Sequence, residues 1–469
     1  MKTPRGAAPE PGRPIDFVRN ARLALGDPFL RAALRATMVR FRDRQAAVIA
    51  EVPEWQALRD YACAVKRHTL GRLDQYLEQL EAQVALRGGH VHWARDGAEA
   101  AGIIARLARG RRVVKSKSMT SEEIGLNEAL ASAGCEVTET DLGEYLLQLA
   151  GEAPSHLIAP IVHRSKEFIA ALLSAAAGRP LPAEPERLTA VARELLRRRF
   201  LEAEVGITGA NFLVAETGTV VLVENEGNIR LTTTIPRVHI ALAGVEKVIP
   251  RLADLAVFLT LLPRAATGQR MSSYVSLLTG PRRSGERDGP EEFHLVLVDN
   301  GRTAVHGDET MREVLACIRC GACLDVCPVF ERVGGHAYGS VYSGPIGAVL
   351  TPLLQGLTVA GDLPFASSLC GACGEVCPVK IDLPRLLLEL RARVVRSRGA
   401  PLGERLFLRA WTWVMGSAVR LTLAGSLVRL ARGLVGPRPR WLPAPLSRWI
   451  AFRDLPPAAP AAFRRGRRR

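Results

Sequence analysis

No two glycines in this 469-residue chain are separated by a single residue, so the G-x-G-x-x-G turn that brings backbone against a dinucleotide pyrophosphate is excluded. No G-x4-G-K-[ST] loop occurs either, which removes the usual nucleoside triphosphate site. Long apolar runs are also missing. The most hydrophobic late stretch, Leu406 to Gly436, is broken by Arg409, Arg420, Arg429 and Arg432, leaving no run of about 18 apolar residues to span a bilayer. The opening MKTPRGAAPEPGRPIDF places Pro, Gly and charge where an export signal carries its apolar core, and residues 1–14 read as a disordered tail. Cysteine is scarce outside one region: of nine, Cys63 and Cys135 stand alone. That distribution argues against a disulfide scaffold and for metal in a reducing compartment.

What is abundant is arginine near the end. Residues 391–469 carry 18 Arg against Glu404 and Asp454, which accounts for the whole net charge of +16. No zinc finger or aromatic RNA-binding signature accompanies this block, so nucleic acid is not the expected partner. An acidic partner or an anionic membrane surface fits the pattern better, with RRGRRR as a solvated tail.

Residues 15–95 read as a helical lead-in, with apolar spacings near three and four in Leu58, Tyr61, Ala62, Val65 and in Leu70, Leu73, Tyr76, Leu77, Leu80. From Arg111 onward strands and helices alternate. VVKSKS reads as a strand, Thr120 and Glu123 as a capping box for a helix through Ala133, CEVTET as a strand, and Asp141 with Glu144 as the start of another helix. HLIAPIV followed by KEFIAALLSAAAG reads as a third such unit. Three in succession predict an α/β domain over residues 96–305 with a mostly parallel, Rossmann-like sheet. NFLVAETGTVVLVENEGNIRLTTT reads as a hairpin meander, GPRRSGERDGPEE as a surface loop and HLVLVDNGR as a last strand.

The remaining seven cysteines lie between residues 317 and 377. CIRCGACLDVCP gives Cys317, Cys320, Cys323 and Cys327 the C-x2-C-x2-C-x3-C-P spacing of bacterial ferredoxins, whose fourth cysteine serves the other cluster. LCGACGEVCP supplies Cys370, Cys373 and Cys377. The expected assignment is two [4Fe-4S] clusters, the first on Cys317, Cys320, Cys323 and Cys377, the second on Cys327, Cys370 and Cys373. Structural zinc is the weaker alternative, because it usually takes paired C-x2-C units. The second cluster is short of one cysteine, since Ser367 stands where the repeat requires one. A three-iron cluster, Ser367 or another oxygen or nitrogen ligand, and a partner's group are the open choices. Residues 306–390 are expected to form a helical ferredoxin-like dicluster domain, because 42 residues separate the two runs. Residues 391–469 would form a basic helical C-terminal region.

No catalytic residue is decided by the α/β segment. Lys115, Lys117, Asp141, Glu144, His156, His163, Glu216, Asn225, Glu226 and Asn228 are polar candidates. Capping, turn chemistry and satisfied burial account for most of them. A binding cleft from Lys115 to Ser118 with Asp141 is the sharper expectation, because strand C-terminal ends are where α/β folds bind ligands. His336 and Tyr338 either line a partner surface or pack a Gly-rich loop.

KSKSMTSEEIGLNEAL, ETDLGEYLLQLAGEAPSHLIAPIVH, ITGANFLVAETGTVVLVENEGNIRLTTTIPRVHI and the two cysteine runs, in that order, resemble the lactate utilisation protein B family. The resemblance implies an iron–sulfur subunit that oxidises L-lactate to pyruvate with two companion subunits. It also implies an α/β domain similar to the sugar-isomerase and CoA-transferase fold group. Cysteine usage and the basic C-terminal region, taken with this, predict a cytoplasmic location with peripheral contact at the inner face of the membrane. The competing expectation is an enzyme whose α/β domain binds a carboxylate or CoA ester while the clusters regulate it.

Overall fold

The computed structural model describes residues 13–156, 159–399 and 402–434. The N-terminal tail up to residue 12 and the Arg-rich end beyond residue 434 therefore lie outside the described residues. The chain divides into two compact units, Met1–Arg393 and Val394–Arg469.

The first unit begins with four helices, α1 (Phe17–Leu25), α2 (Pro28–Ala50), α3 (Trp55–Leu70) and α4 (Leu73–Leu86). Asp27 caps α2 by accepting from Phe29 and Leu30 backbone N–H, and Pro28 occupies the position where a missing N–H costs nothing. The helical segment then gives way to β1 (His90–Ala94), α5 (Gly97–Ala108), β2 (Arg112–Lys115), α6 (Met119–Glu123), α7 (Leu126–Ser132), β3 (Glu136–Glu139) and α8 (Leu142–Ala150). Gly125, at φ 62°, breaks the single helix expected through Ala133 into α6 and α7. The cap is Ser118, accepting from Ser121 N–H, so Thr120 and Glu123 are not a capping box. Asp141 caps α8 as expected, accepting from Gly143 and Glu144 N–H.

None of the described residues of HLIAPIV lies in a strand: they form bends and turns ahead of α9 (Lys166–Ala177) and α10 (Pro185–Glu202). The next sheet strand is β4 (Val205–Thr208). A β5 (Phe212–Val214)–β6 (Thr219–Glu224) hairpin follows, with its turn at ETG as expected. The expected meander then ends. Glu224 accepts from Ile229 and Arg230 N–H and starts α11 (Asn228–Thr234), and β7 (Val238–Gly244) returns to the main sheet. After β8 (Val248–Ile249), α12 (Leu255–Thr267) and β9 (Tyr274–Leu278), strand β10 (Glu292–Val298) completes it.

The main sheet has the order β1-β10-β7-β4-β2-β3, all neighbours parallel. A second sheet has the order β8-β5-β6-β9. Strand β7, VHIALAG, is buried throughout because helices or the second sheet cover both faces of a parallel sheet. Ile240 and Leu242 pack with Ile104 of α5 and Leu126 and Leu130 of α7, while Ala241 and Ala243 pack with Leu77, Leu80 and Val84 of α4. Gly206 in β4 has no room for a side chain: a Cβ would fall 1.9 Å from the Thr232 carbonyl oxygen of α11.

The chain continues through α13 (Arg302–Gly307), α14 (Ala322–Asp325), α15 (Phe330–Val333), α16 (Gly344–Gln355), α17 (Leu357–Ala360), α18 (Ala372–Glu375) and α19 (Leu383–Arg398). Helices thus fill the space between the cysteine runs. Their core is continuous with the start of the chain: Leu34 and Met38 of α2 and Phe258 and Leu261 of α12 join Cys320, Cys323, Phe330, Tyr338 and Leu386 in one apolar cluster. The second unit contains α20 (Leu402–Met415) and α21 (Ala418–Leu434). Among the described residues no helix is long and apolar enough to cross a membrane.

Candidate iron–sulfur centre

The two cysteine runs fold alike. Arg319 (φ 61°) and Gly321 (φ 81°) turn the first loop through the left-handed region before α14, and Leu369 (φ 55°) and Gly371 (φ 91°) do the same before α18. Left-handed Arg and Leu cost about 1–3 kcal/mol each, so both loops are held by their surroundings rather than by preference. α3 supplies part of that hold. Arg59 Nε and Nη2 donate to the Cys377 carbonyl at 3.0 and 2.8 Å, and Nη2 donates to the Glu375 carbonyl at 2.6 Å.

The seven thiols fall into two groups of neighbours. Burial first, then Cys377 and Cys317, push the Cys320 thiol well above its ordinary value; Cys323 rises for the same reason, beside Cys320, Cys317 and Cys377. Burial, followed by Cys327 and Cys370, lifts Cys373 to about 12, while burial with Cys317 nearby lifts Cys377 to about 11. Burial also raises Cys327, next to Cys370. Cys370 is the exception: exposed, and receiving hydrogen bonds from the Ala372 N–H and the Ser368 hydroxyl, it lies below its ordinary value. None of the nine cysteines forms a disulfide. The first group is therefore largely interior and the second reaches the surface.

Backbone N–H groups point at the sulfurs, from Arg319 to Cys317 at 3.4 Å, from Phe330 to Cys327 at 3.5 Å and from Ile381 to Cys377 at 3.4 Å. Two buried donors near the thiols lack a protein acceptor, the Tyr338 hydroxyl and Arg319 Nη1. Buried donors are normally satisfied, and the sulfides and thiolates of an iron–sulfur cluster are acceptors of the right kind. Tyr338 feels both Cys327 and Cys323, one from each group. Among the described residues no three His, Cys, Asp or Glu side chains converge on a point one metal ion would occupy. A four-iron cube makes a different demand, one thiolate at each separate corner. The residues present fit such a group.

A buried charge network joins the first loop to the α/β domain. Arg319 lies 3.3 Å from Glu246 and stacks over Tyr342 at 4.7 Å. Arg302 donates to Glu246 at 2.7 Å and to both oxygens of Glu123 at 2.8 Å, and Tyr342 donates to Glu123. Burial alone would raise Glu246, yet Arg302 and Arg319 bring it down to about 2. Lys66 donates to the Glu246 carbonyl at 2.6 Å; burial lowers Lys66 and Lys247 to about 8. Arg319, Lys66 and Lys247 all feel Cys317, so cations surround a position where negative charge would accumulate. Glu246, Arg302 and Tyr342 carry no spacing signal that marks them, and the spacing of Glu123 from Thr120 points instead to a helix cap that it does not form.

The expected cleft residues meet at the ends of β2 and β3. Lys115, buried, pairs with Glu139 at 2.8 Å and Glu122 at 3.3 Å. Burial disfavours its charge, but these carboxylates hold Lys115 above its ordinary value. Lys117 pairs with Glu144 at 3.4 Å, and burial lifts Glu144 to about 7. Glu226 also rises to about 7, through burial and then Asp141, and accepts from Leu142 N–H at 3.1 Å. Asn228 donates to Thr140, also at this edge. The other candidates have local tasks. Glu216 accepts from Leu252 N–H, and Asn225 binds Gln269 and Ser273. His156 lies 3.4 Å from Asp325 of α14; His163 contacts Glu152 and Ser155 and stacks edge-on against His336. His336 contacts the Ala153 carbonyl, so these histidines pack a loop of the α/β domain onto the cysteine region.

Comparison with known proteins agrees with this division. A LUD domain model matches residues 77–298, and a 4Fe-4S dicluster domain model matches residues 313–381. Lactate utilization protein B of Bacillus licheniformis is 48% identical over 461 residues, covering 94% of each chain. The Bacillus subtilis protein of that name is 45% identical over 464 residues, covering 96% of this chain and 95% of its own. Among solved structures, a duf162 family protein from Deinococcus radiodurans is 17% identical and covers 48% of this chain and 98% of its own, at a TM-score of 0.28. With near full-length identity of this order, the chain belongs to the lactate utilization protein B family.

Proposed function

We propose that this chain is the iron–sulfur electron-transfer subunit of an assembly that oxidises L-lactate to pyruvate, and so supports growth on lactate. The observation that carries the reading is the division of the seven thiols into two neighbouring groups. In this reading Cys317, Cys320, Cys323 and Cys377 hold one [4Fe-4S] cluster, and Cys327, Cys370 and Cys373 hold three corners of the second. Each cluster, when bound, supplies one-electron transfer.

Oxidising lactate releases two electrons and two protons, a step normally run through flavin or nicotinamide. The chain lacks the G-x-G-x-x-G dinucleotide fingerprint, so the hydrogen-removing step is assigned to the two companion subunits. The residues of this chain bind, orient and shield. Arg59 fixes the second loop, Arg319 and Glu246 fix the first against the α/β domain, and the exposed Cys370 edge faces the exchange partner. The parallel sheet is compatible with a likeness to the sugar-isomerase and CoA-transferase fold group. We place the chain in the cytoplasm, with the Arg-rich region at the inner membrane face.

A second reading, an enzyme that binds a carboxylate or CoA ester, draws on the strand-end cluster of Lys117, Glu144, Asp141 and Glu226. One experiment separates the two. Cluster-loaded chain is mixed anaerobically with L-lactate, and cluster reduction is followed by EPR and visible absorbance. The expected result is no reduction alone and reduction once both companions are added; reduction by lactate with this chain alone would refute the subunit reading.

A further inference from the structure

Ser367 stands fifty residues after Cys317, as Cys370, Cys373 and Cys377 stand fifty after Cys320, Cys323 and Cys327. The backbone keeps that correspondence. Arg319 N–H donates to Cys317 Sγ at 3.4 Å, and its counterpart Leu369 N–H donates to Ser367 Oγ at 3.1 Å. Both donors belong to residues in the left-handed region, at φ 61° and 55°. A loop that had only to connect α17 to Cys370 would have no use for a strained leucine. Arg391 of α19 holds the loop from behind, donating to the Pro364 and Ser367 carbonyls at 2.8 Å each.

We propose that Ser367 is the fourth ligand of the second cluster, its Oγ standing where Cys317 Sγ stands in the first. The inference rests on the two-cluster reading above. As the Oγ–iron bond forms, the hydroxyl gives its proton to solvent and the iron releases a bound water; no electron is transferred. Solvent reaches this corner, because Ser367 is half-buried and Ser368 and Cys370 are exposed, whereas the matching Ile318 and Cys320 are buried. An alkoxide is a harder ligand than a thiolate and its parent hydroxyl is far less acidic, so this iron differs from its three neighbours. It is the first to leave on oxidation.

The test uses the full chain, reconstituted anaerobically with Mössbauer-active iron, as wild type, Ser367→Cys and Ser367→Ala. Wild type is expected to carry about eight iron atoms per chain, with one Mössbauer site distinct from the rest. In Ser367→Ala about one iron in eight is lost and the EPR signature of a three-iron cluster appears. In Ser367→Cys the distinct site disappears, iron is retained longer under air, and the potential of the second cluster alone shifts. Wild-type iron content and spectra in Ser367→Ala would overturn the proposal, as would a wild type already three-iron at that cluster. A Ser367→Cys chain with the wild-type Mössbauer spectrum and potential would overturn it as well. Failure of the underlying reading looks different: Cys327→Ala would then leave total iron unchanged.

Discussion

His239 shows how burial, rather than sequence type, sets the charge of a side chain. It sits inside β7 with Nε2 2.9 Å from Thr208 Oγ1, and burial drops it to about 3. The sign follows from proton counting. From the folded value near 3 up to the unfolded value near 6.5 the unfolded chain binds one more proton, so this stabilisation is full above that window and fades as pH falls through it. His239→Gln removes the term. Relative to wild type in the same cluster state, it should lose ~2 kcal/mol less stability between about pH 7 and about pH 5. Denaturant titrations at both values measure this; equal losses would mean that His239 is not held neutral. Glu144 and Glu226, both near 7, act in the opposite direction, but equally in both chains, and cancel in the comparison. Such environments are not legible in sequence. Cysteine spacing gives away which thiols are neighbours, because three-residue steps on a tight loop leave little freedom. Nothing in the spacing reveals that Glu123 serves Arg302 and Tyr342 instead of a helix cap, or that Tyr338 lies between both thiol groups.

Elements were readable where a local rule decides them. Asp141 caps α8 and the ETG turn closes the β5–β6 hairpin because both depend on a few adjacent residues. HLIAPIV, apolar and β-branched, reads as a strand but is claimed by tertiary packing: its loop docks onto the cysteine region through His156, His163 and Ser155. Ser155 makes a close backbone contact there. Its carbonyl accepts from Gly335 N–H at 2.9 Å, and a Cβ at Gly335 would sit 2.0 Å from the same oxygen. Backbone meets backbone there, so neither side yields by rotating a side chain. Gly335→Ala should therefore cost ~2–3 kcal/mol, within the usual range for overpacking, and should speed amide exchange in residues 152–164. Gly307→Ala is the control, since no atom lies within 4 Å of its Cβ, and should change stability by less than ~0.5 kcal/mol. Equal stability of the two variants would show that the α/β loop and the cysteine region are not locked together at Gly335.

At the scale of the whole molecule, charge is separated from chemistry. Every residue of the excess +16 comes from positions 391–469, while the rest of the chain balances its acids and bases. Within the second unit, α20 and α21 expose large apolar side chains beside these arginines, including Phe407 at 65%, Trp411 at 55% and Trp413 at 63%. Aromatic side chains interleaved with arginine suit the plane of a lipid headgroup layer better than its interior. The sequence conveyed the composition, and among the described residues no helix is long and apolar enough to cross a membrane; residues beyond 434 stay outside the described structure. If the region docks on an anionic membrane, each arginine near the surface contributes ~1 kcal/mol, so binding should require anionic lipid and weaken steeply with salt. The full chain should sediment with vesicles containing phosphatidylglycerol at low salt and stay in solution with purely zwitterionic ones. A chain lacking residues 403–469 should lose sedimentation while keeping its iron content, because the seven cysteines all precede the deletion. Sedimentation that survives the deletion, or is indifferent to lipid charge, would remove the membrane from this picture and leave the basic region to an acidic protein partner.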